Sequence, residues 1–264
     1  MQNFSINKFI NNFLNKFFNI HIKKLKRNFD DIISELNQKR KNKNVVILDV
    51  GAHEGSSIIR FKEIFKNFNY KIHSFEPSYL FDDLNEKFSN YENVFLHRYA
   101  ISNKEGRANF FEHISSSGSS SLEEVLSDSY FAKRRNLNNQ NNIRSTSVKT
   151  TTLDKFCEIN NISYISHLKI DVQGHENQVL EGARKLITNN LIDVIETEVI
   201  IANSYDSNTS FLEVEKNLIP FGYKLVSISP DGRFYNLESH DILANPELQF
   251  DLIYCSQKFR KKFL

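Results

Sequence analysis

Apolar residues fall into short continuous runs and amphipathic stretches that alternate along most of the chain. The first run, 45–49, ends at Asp49 and is typical of a strand buried on both faces of a parallel sheet. Later runs predict further strands, and stretches with apolar residues at helical spacing lie between them. Strands are predicted at 45–49, 70–75, 93–99, 107–113, 166–172, 191–197, 222–228 and 248–255, and helices at 56–68, 79–88, 152–160, 176–188 and 211–218.

This alternation of strands and helices indicates βαβ units around a mostly parallel sheet, so the predicted fold class is α/β. A chain of 264 residues accommodates one such domain with an extension. We therefore place an α/β domain at 44–264 and a helical extension at 1–43.

The extension differs from the rest of the chain in charge and in pattern. Ten Lys or Arg and three acidic residues give 1–43 a net charge of +7, against +2 for the whole chain. The segment predicts either a helix that packs on the main domain or a second subunit, or a basic amphipathic helix on an anionic membrane surface. Its apolar stripe consists of Phe9, Ile10, Phe13, Leu14, Phe17 and Phe18.

Two polar segments interrupt the alternating pattern. Residues 115–121 are almost entirely serine, and 132–146 are rich in Arg and Asn. Segments with so few apolar residues do not fold alone, so each predicts either a mobile loop or a lid over a site.

Cysteine usage and hydropathy indicate a cytoplasmic protein. Cys157 and Cys255 are too few for a disulfide framework and are expected to be reduced and packed in the core. The sequence shows neither a signal-peptide pattern nor a run of about 20 apolar residues that would span a membrane. We expect a cytoplasmic location, with peripheral contact at the inner face of the membrane as an alternative supported by the extension.

The turn after the first predicted strand carries two glycines. Ligands of open α/β sheets bind beyond the carboxyl ends of the strands, and glycine permits both an unusual φ and close approach to a ligand. The G-x-x-x-G spacing differs from the G-x-G-x-x-G of dinucleotide folds and the G-x-x-x-x-G-K-[ST] of triphosphatases. The turn reads Asp49-Val50-Gly51-Ala52-His53-Glu54-Gly55. It predicts a ligand site that is not built for pyrophosphate, although an ordinary tight turn also fits.

Glu76 ends the second predicted strand and is followed by Pro77. An acid at this place accepts hydrogen bonds from ribose hydroxyls in Rossmann-type units. Together with the glycine turn, it predicts an adenosine-type ligand across the first two strands.

A third group follows the fourth strand of the main sheet. Asp171 ends that strand, Gly174 opens the turn, and His175 and Glu176 begin a helix. We expect Asp171 to lie beside the glycine turn. His175 is interpreted as a general base or as a packing or capping residue, and Glu176 as complementing the helix dipole.

The ordered set of these motifs resembles the FkbM family of methyltransferases, from about Val45 to Glu198. The motifs are the glycine turn, Phe75-Glu76-Pro77, Ala100-Ile101-Ser102, Thr151-Thr152-Leu153-Asp154 and the stretch from Leu168 to Glu176. The resemblance implies a class I methyltransferase fold, Rossmann-like and three-layered, with a seven-stranded sheet whose last strand is antiparallel. It also implies S-adenosylmethionine as methyl donor and oxygen methylation, often of sugar or small-molecule hydroxyls.

The resemblance also assigns roles to residues. The turn 51–55 would hold the methionine part of the donor, and Asp171 would lie near the methyl-transfer centre with His175 or Asp171 as the base. Glu76 would bind the ribose, and Ala100, Ile101 and Ser102 would border the adenine. The full set of cofactor-binding residues is Asp49, Gly51, Ala52, His53, Glu54, Gly55, Glu76, Pro77, Ser78, Ala100, Ile101, Ser102 and Asp171.

One position departs from the family pattern. Gln173 stands where the family commonly has Glu, which puts in doubt any role of that acid. Asp171 and Glu198 are candidate ligands for a divalent cation such as Mg²⁺, but two carboxylates are not a full ligand set, so no metal site is assigned.

Two other functional classes remain open from the sequence. One is a nicotinamide-dependent oxidoreductase, which the glycine spacing disfavours. The other is a non-catalytic, membrane-associated scaffold in glycan assembly, which the basic extension favours. No basic patch outside the extension indicates a nucleic-acid partner, so we expect a small-molecule or glycan acceptor. The segments 115–121, 132–146 and 229–245 are expected to shape its site.

Overall fold

The structure is a computed structural model, and its main sheet has seven strands. Strands β1 (Asn44–Val50), β2 (Asn69–Phe75), β3 (Val94–His97), β7 (Ile165–Ile170), β8 (Ile192–Ile201), β9 (Lys224–Pro230) and β10 (Leu248–Cys255) are arranged in the order β3-β2-β1-β7-β8-β10-β9. The structure describes residues 29–38, 40, 43–129, 132–133, 135–137, 139–201, 205, 210–230 and 248–263.

The strand directions match the predicted class I methyltransferase sheet. Strands β3, β2, β1, β7 and β8 run parallel, and β10 is antiparallel to both β8 and β9. The last strand in the chain is therefore the antiparallel one, which confirms the predicted fold.

Helices cover both faces of this sheet and give it three layers. One face packs against α1 (Phe29–Gln38), α2 (Ser56–Ile64), α3 (Leu80–Phe88) and the C-terminal α8 (Gln257–Phe263). The other face packs against α4 (Leu153–Ile159), α5 (Glu176–Gly182), α6 (Arg184–Thr188) and α7 (Phe211–Leu218). Strand β1 contributes Val45 and Ile47 to the first core and Leu48 and Val50 to the second, because its side chains alternate between the faces.

A second, three-stranded sheet lies beside the first. It consists of β4 (Ala100–Ile101), β5 (Gly106–His113) and β6 (Ile143–Thr151), in the order β4-β6-β5. Strand β5 was predicted, but the prediction of an unstructured 132–146 is wrong at its C-terminal end, because β6 begins at Ile143. The Ser- and Thr-rich strand β6 pairs with β5 from Ile143 to Thr150 through backbone hydrogen bonds that need no apolar side chains.

Most predicted boundaries shift by a few residues, and one helix is divided. The helix predicted at 56–68 ends at Ile64, and the strand predicted at 93–99 ends at His97. The helix predicted at 176–188 is two helices, α5 and α6, which meet at Ala183. At the end of α5, a Cβ on Gly182 would lie 2.1 Å from the carbonyl oxygen of Ser102. The backbone at Ser102 therefore packs directly against the junction of α5 and α6.

Helix α1 lies within the predicted extension and is part of the core. Ile33 is fully buried against Val194, Ile253, Cys255 and Phe259. The apolar stripe from Phe9 to Phe18 lies outside the described residues, as does most of 229–245, so membrane contact or self-association through the extension stays a prediction. No helix in the described part of the chain is long and apolar enough to cross a membrane.

Both cysteines are free thiols buried in the core. Burial raises the pKa of each thiol to about 12, with a smaller contribution from Asp154 at Cys157 and from Asp193 at Cys255. Thiols of this kind are packing residues and weak nucleophiles.

Candidate functional site

A cavity of about 440 Å³ opens at the carboxyl ends of β1, β2 and β7 and the middle of β8. This is where ligands of open α/β sheets bind. Among the predicted site residues, Asp49, Glu54, Gly55 and Ser102 are not part of its wall. The predicted residues that do line it are Gly51, Ala52, His53, Glu76, Pro77, Ser78, Ala100, Ile101, Asp171 and His175.

The glycine turn is fixed by contacts with the protein itself. Gly51 and Gly55 have φ of 88° and 85°, a region that disfavours side chains. A Cβ on Gly51 would lie 1.9 Å from the carbonyl oxygen of Asp171, and one on Gly55 would lie 2.3 Å from the ring of Phe88. The close approach that these glycines permit is therefore an approach to neighbouring protein groups, as in the tight-turn interpretation, and contact with a ligand stays a prediction.

Glu76 is buried at the cavity wall and organises the turns around it. Its Oε2 accepts a hydrogen bond from the backbone N–H of His53 at 2.8 Å, and its Oε1 accepts one from the N–H of Ser78 at 3.0 Å. A carboxylate offers about four acceptor positions, so two backbone donors leave room for ligand hydroxyls.

Asp49 lies behind the cavity wall. Its Oδ2 accepts hydrogen bonds from Ser57 at 2.7 Å and Ser74 at 3.1 Å, while the buried Oδ1 has no hydrogen-bond partner among the described residues. Lys169 Nζ lies 3.9 Å from that oxygen. Burial raises the pKa of Asp49, against the lowering effects of Lys169 and the two serines. Asp49 therefore contacts two cavity-lining side chains, those of Ser57 and Lys169, without lining the cavity itself.

Lys169 is a cavity residue that the sequence reasoning missed. Its ammonium lies 3.0 Å from Asp171 Oδ2. Burial would lower the pKa of Lys169, but the carboxylates of Asp171, Asp49 and Glu196 raise it above its ordinary value. The period-two alternation of β7 puts Lys169 and Asp171 on one face, a signal that was available in the sequence.

Asp171 and Glu198 are joined by the amide of Gln173. Nε2 of Gln173 lies 3.0 Å from Asp171 Oδ1 and 2.7 Å from Glu198 Oε2. Burial would raise the pKa of Asp171, but Lys169 and the hydrogen bond from Gln173 lower it below its ordinary value. The described residues contain no group of three His, Cys, Asp or Glu arranged to hold a metal ion. A hydrogen-bond donor lies between the two carboxylates proposed as cation ligands, which does not fit that site.

His175 has a partner at each ring nitrogen. Nδ1 lies 2.5 Å from Glu123 Oε1, and Nε2 lies 2.9 Å from the Ser102 hydroxyl. With Nδ1 donating to the carboxylate, Nε2 accepts from Ser102. These contacts fit the packing interpretation, because His175 connects α5 to the loops that carry Ser102 and Glu123. His175 also lines the cavity, and its role as a base stays a prediction. Glu123 was not predicted, because it is distant in sequence from every motif.

The outer wall of the cavity comes from the two polar insertions. Ser117, Gly118, Ser120 and Leu122 line it, together with Arg135. Arg135 donates to the Ser119 hydroxyl at 2.7 Å, and the ring of His53 lies 2.9 Å from the Ser117 hydroxyl. The low-complexity serine run had indicated a lid or loop, and these contacts place it against the glycine turn.

Sequence comparisons identify the family. The family described as Methyltransferase FkbM domain matches residues 49–225. The curated 2-O-methyltransferase NoeI of Sinorhizobium fredii (strain NBRC 101917 / NGR234) is 28% identical over 207 residues, which cover 77% of this chain and 80% of that protein.

Solved structures show weaker likeness. Methyltransferase FkbM from Methylobacillus flagellatus KT is 12% identical with a TM-score of 0.48, over 82% of this chain and 44% of that one, so this chain spans less than half of its length. An rRNA methylase from Streptococcus thermophilus is 10% identical with a TM-score of 0.46, over 88% of this chain and 98% of that one. Because the family match spans 49–225 and includes the strands that carry the cavity, this chain belongs to the FkbM family of S-adenosylmethionine-dependent methyltransferases.

Proposed function

We propose that the protein transfers a methyl group from S-adenosylmethionine to a hydroxyl oxygen of a sugar, glycan or small-molecule acceptor. The observation that carries the proposal is the cavity, where a buried acid at the end of β2 faces a serine-lined outer wall. A relative named as a 2-O-methyltransferase supports oxygen as the methylated atom.

The residues present fit the methyl donor. Glu76 would hold the ribose hydroxyls, the turn 51–53 would hold the methionine part, and Ala100 and Ile101 would border the adenine. The donor carries positive charge, and the wall includes the carboxylates of Glu76, Asp171 and Asp251. Two of the wall cations, Lys169 and Arg60, are already paired with carboxylates. When bound, the donor supplies a methyl group that is already activated by its sulfonium sulfur.

The acceptor would lie against the outer wall. The hydroxyls of Ser117 and Ser120 and the ring of His53 present polar groups there, and Arg135 adds a cation. Such a surface suits an acceptor with several hydroxyl groups, because each buried hydroxyl needs a hydrogen-bond partner. The protein would mainly align one acceptor oxygen with the methyl carbon and exclude water. We also propose a cytoplasmic location, which the two free cysteines support.

Ligand-induced stabilisation tests the donor. S-adenosylmethionine at about 100 times its dissociation constant should stabilise the fold by about 2.7 kcal/mol in a thermal-shift assay, and NAD should not. Glu76→Gln should weaken the shift. Stabilisation by NAD alone would favour an oxidoreductase, and no shift with either ligand together with strong binding to anionic liposomes would favour a scaffold.

Transfer itself is tested with methyl-labelled S-adenosylmethionine and fractionated cell extract. We expect the label in a hydroxyl-bearing small molecule or glycan as a base-stable ether. Label found only in nitrogen-methylated products would reject oxygen methylation.

A further inference from the structure

Two carboxylates lie side by side on neighbouring strands of the cavity. Asp171 directly follows β7, and Glu198 belongs to β8, which pairs with β7. One amide nitrogen, that of Gln173, contacts both. We propose that Glu198 is the catalytic carboxylate that takes the proton of the acceptor hydroxyl, and that Gln173 positions it. This inference rests on the proposed methyl transfer.

The two carboxylates differ in the partners that they have. Asp171 uses both oxygens, with Lys169 at Oδ2 and Gln173 at Oδ1. Glu198 receives a hydrogen bond at Oε2, and no group in the described part of the chain donates to its Oε1. An oxygen without a protein donor is available to accept a hydrogen bond from a substrate hydroxyl. Glu198 therefore has one oxygen to which no described group donates, whereas each oxygen of Asp171 already accepts a hydrogen bond.

The amide of Gln173 has a single sensible orientation. Its nitrogen faces two carboxylates, and its Oε1 lies 3.3 Å from the hydroxyl of Tyr205, which can donate to it. The reversed amide would place its oxygen against both carboxylates. The two N–H groups thus hold Glu198 and Asp171 in fixed directions, which is the role of a positioning residue.

The surrounding charges favour Glu198 as the base. Burial and then the carboxylates of Asp171, Glu176 and Asp251 raise the pKa of Glu198 well above its ordinary value, and Lys169 acts in the opposite direction. A general base is most effective when its pKa lies near the working pH. Asp171 is a weaker base, because Lys169 and Gln173 stabilise its charged form.

The proton step balances with the methyl transfer. The acceptor oxygen forms its bond to the methyl carbon while the carbon–sulfur bond breaks, and the electron pair of that bond stays on sulfur. The O–H proton passes to the carboxylate of Glu198, which becomes a carboxylic acid and afterwards releases the proton to solvent. His175 is not needed for this step, because Glu123 and Ser102 occupy its ring nitrogens.

Substitutions at Glu198 test the assignment. Glu198→Gln keeps the shape of the side chain and removes its basicity, and Glu198→Asp keeps a carboxylate on a shorter stem. We expect Glu198→Gln to keep the thermal shift with S-adenosylmethionine and to lower methyl incorporation into cell extract at least about a hundredfold, as removal of a general base does. Glu198→Asp should retain part of the rate. Glu158→Gln is the matched control, because that side chain is 67% exposed on α4.

The outcomes separate this inference from the proposed function. A wild-type protein that shows neither a shift with S-adenosylmethionine nor label transfer would overturn both. If the wild type transfers label and Glu198→Gln does so at a rate within threefold of the wild type, only the role of Glu198 is overturned. The role of Glu198 would also be overturned if a Mg²⁺ chelator abolished methyl transfer and added Mg²⁺ restored it.

A second readout does not depend on turnover. Carboxyl ¹³C NMR of protein labelled at glutamate should show a raised pKa for Glu198 and, through burial, for Glu176, and only the Glu198 resonance should be missing in Glu198→Gln. Gln173→Met removes the donor that stabilises the charged carboxylate of Glu198. It should therefore raise the pKa of Glu198, read from that resonance, and the pH below which the transfer rate falls. Asp251→Asn removes a neighbouring negative charge and should move both to lower pH. A Glu198 that titrates in the ordinary range would contradict the proposal.

Discussion

A methyl group added at Gly51 would meet the backbone of a neighbouring strand before it met any ligand. The Cβ would lie 1.9 Å from the carbonyl oxygen of Asp171, and the φ of Gly51 is 88°. The glycine turn is thus held against the residue that directly follows β7. At the scale of single residues, the shape of the donor site and the packing of β1 against β7 both depend on the absence of a Cβ at Gly51.

We therefore expect Gly51→Ala to destabilise the protein by at least about 2 kcal/mol, because both the positive φ and the clash oppose a side chain. The thermal shift with S-adenosylmethionine should fall as well. Gly118→Ala is the comparison for stability, since a Cβ there has open space around it. Urea denaturation measures the free energy of unfolding of both variants. Equal values for the two would show that the turn after β1 relaxes to accept a side chain.

Sequence patterns located residues whose role follows from their place on a strand. Glu76 and Asp171 follow apolar runs, so their position at the edge of the sheet was predictable. Glu123 and Arg135 were not, because they reach the cavity from loops whose path depends on tertiary contacts. A loop residue carries no periodicity from which its direction can be read.

At the scale of elements, helix α1 belongs to the packed domain although it lies in the segment predicted as an extension. Ile33 is fully buried by side chains of β8, β10 and α8. The second sheet shows the converse case, because β6 has few apolar residues and forms through pairing with β5. Local hydrophobic pattern predicted the central strands well. It missed β6, whose stability comes from long-range backbone pairing.

Truncation of a core side chain on α1 tests how far the domain extends. Ile33→Ala should cost about 2–5 kcal/mol, the usual loss when a buried aliphatic side chain leaves a cavity. Ile59→Ala on α2 removes the same atoms from a side chain that is 53% exposed, and should cost less than about 1 kcal/mol. Similar values for the two would mean that α1 is not part of the cooperative unit.

At the scale of the whole molecule, one ionic network centred on the buried Glu196 joins four elements. Arg60 of α2 donates two hydrogen bonds of 2.8 Å to Glu196 of β8 and one of 2.6 Å to Asp30 of α1. His167 of β7 lies 3.0 Å from the same Glu196 carboxylate. Burial would raise the pKa of Glu196, but His167 and Arg60 lower it to about 2, from an ordinary 4.5.

A carboxylate with a lowered pKa in the folded state stabilises the protein above its unfolded pKa. That contribution is lost as the pH falls from about 4.5 to about 2. Glu196→Gln should therefore cost about 3 kcal/mol at pH 7, since it leaves Arg60 without its main partner. In urea denaturation, the difference in unfolding free energy between Glu196→Gln and the wild type should become smaller below pH 4.5.

Glu63→Gln is the control for charge, because Glu63 pairs with Lys66 at the surface, where both side chains are mostly exposed. It should change stability by no more than about 0.5 kcal/mol at any pH. A Glu196 variant with the same small effect would show that the buried network contributes nothing net.

The buried thiols of Cys157 and Cys255 offer a practical route to the acceptor. Both have a pKa of about 12, so maleimide reagents at neutral pH should leave them unlabelled. In Ser115→Cys, at an exposed position, the new cysteine would then be the single site that carries the fluorophore. Placed next to the serine wall of the cavity, that dye would report by its emission which compounds of a carbohydrate library enter, before any product has been identified.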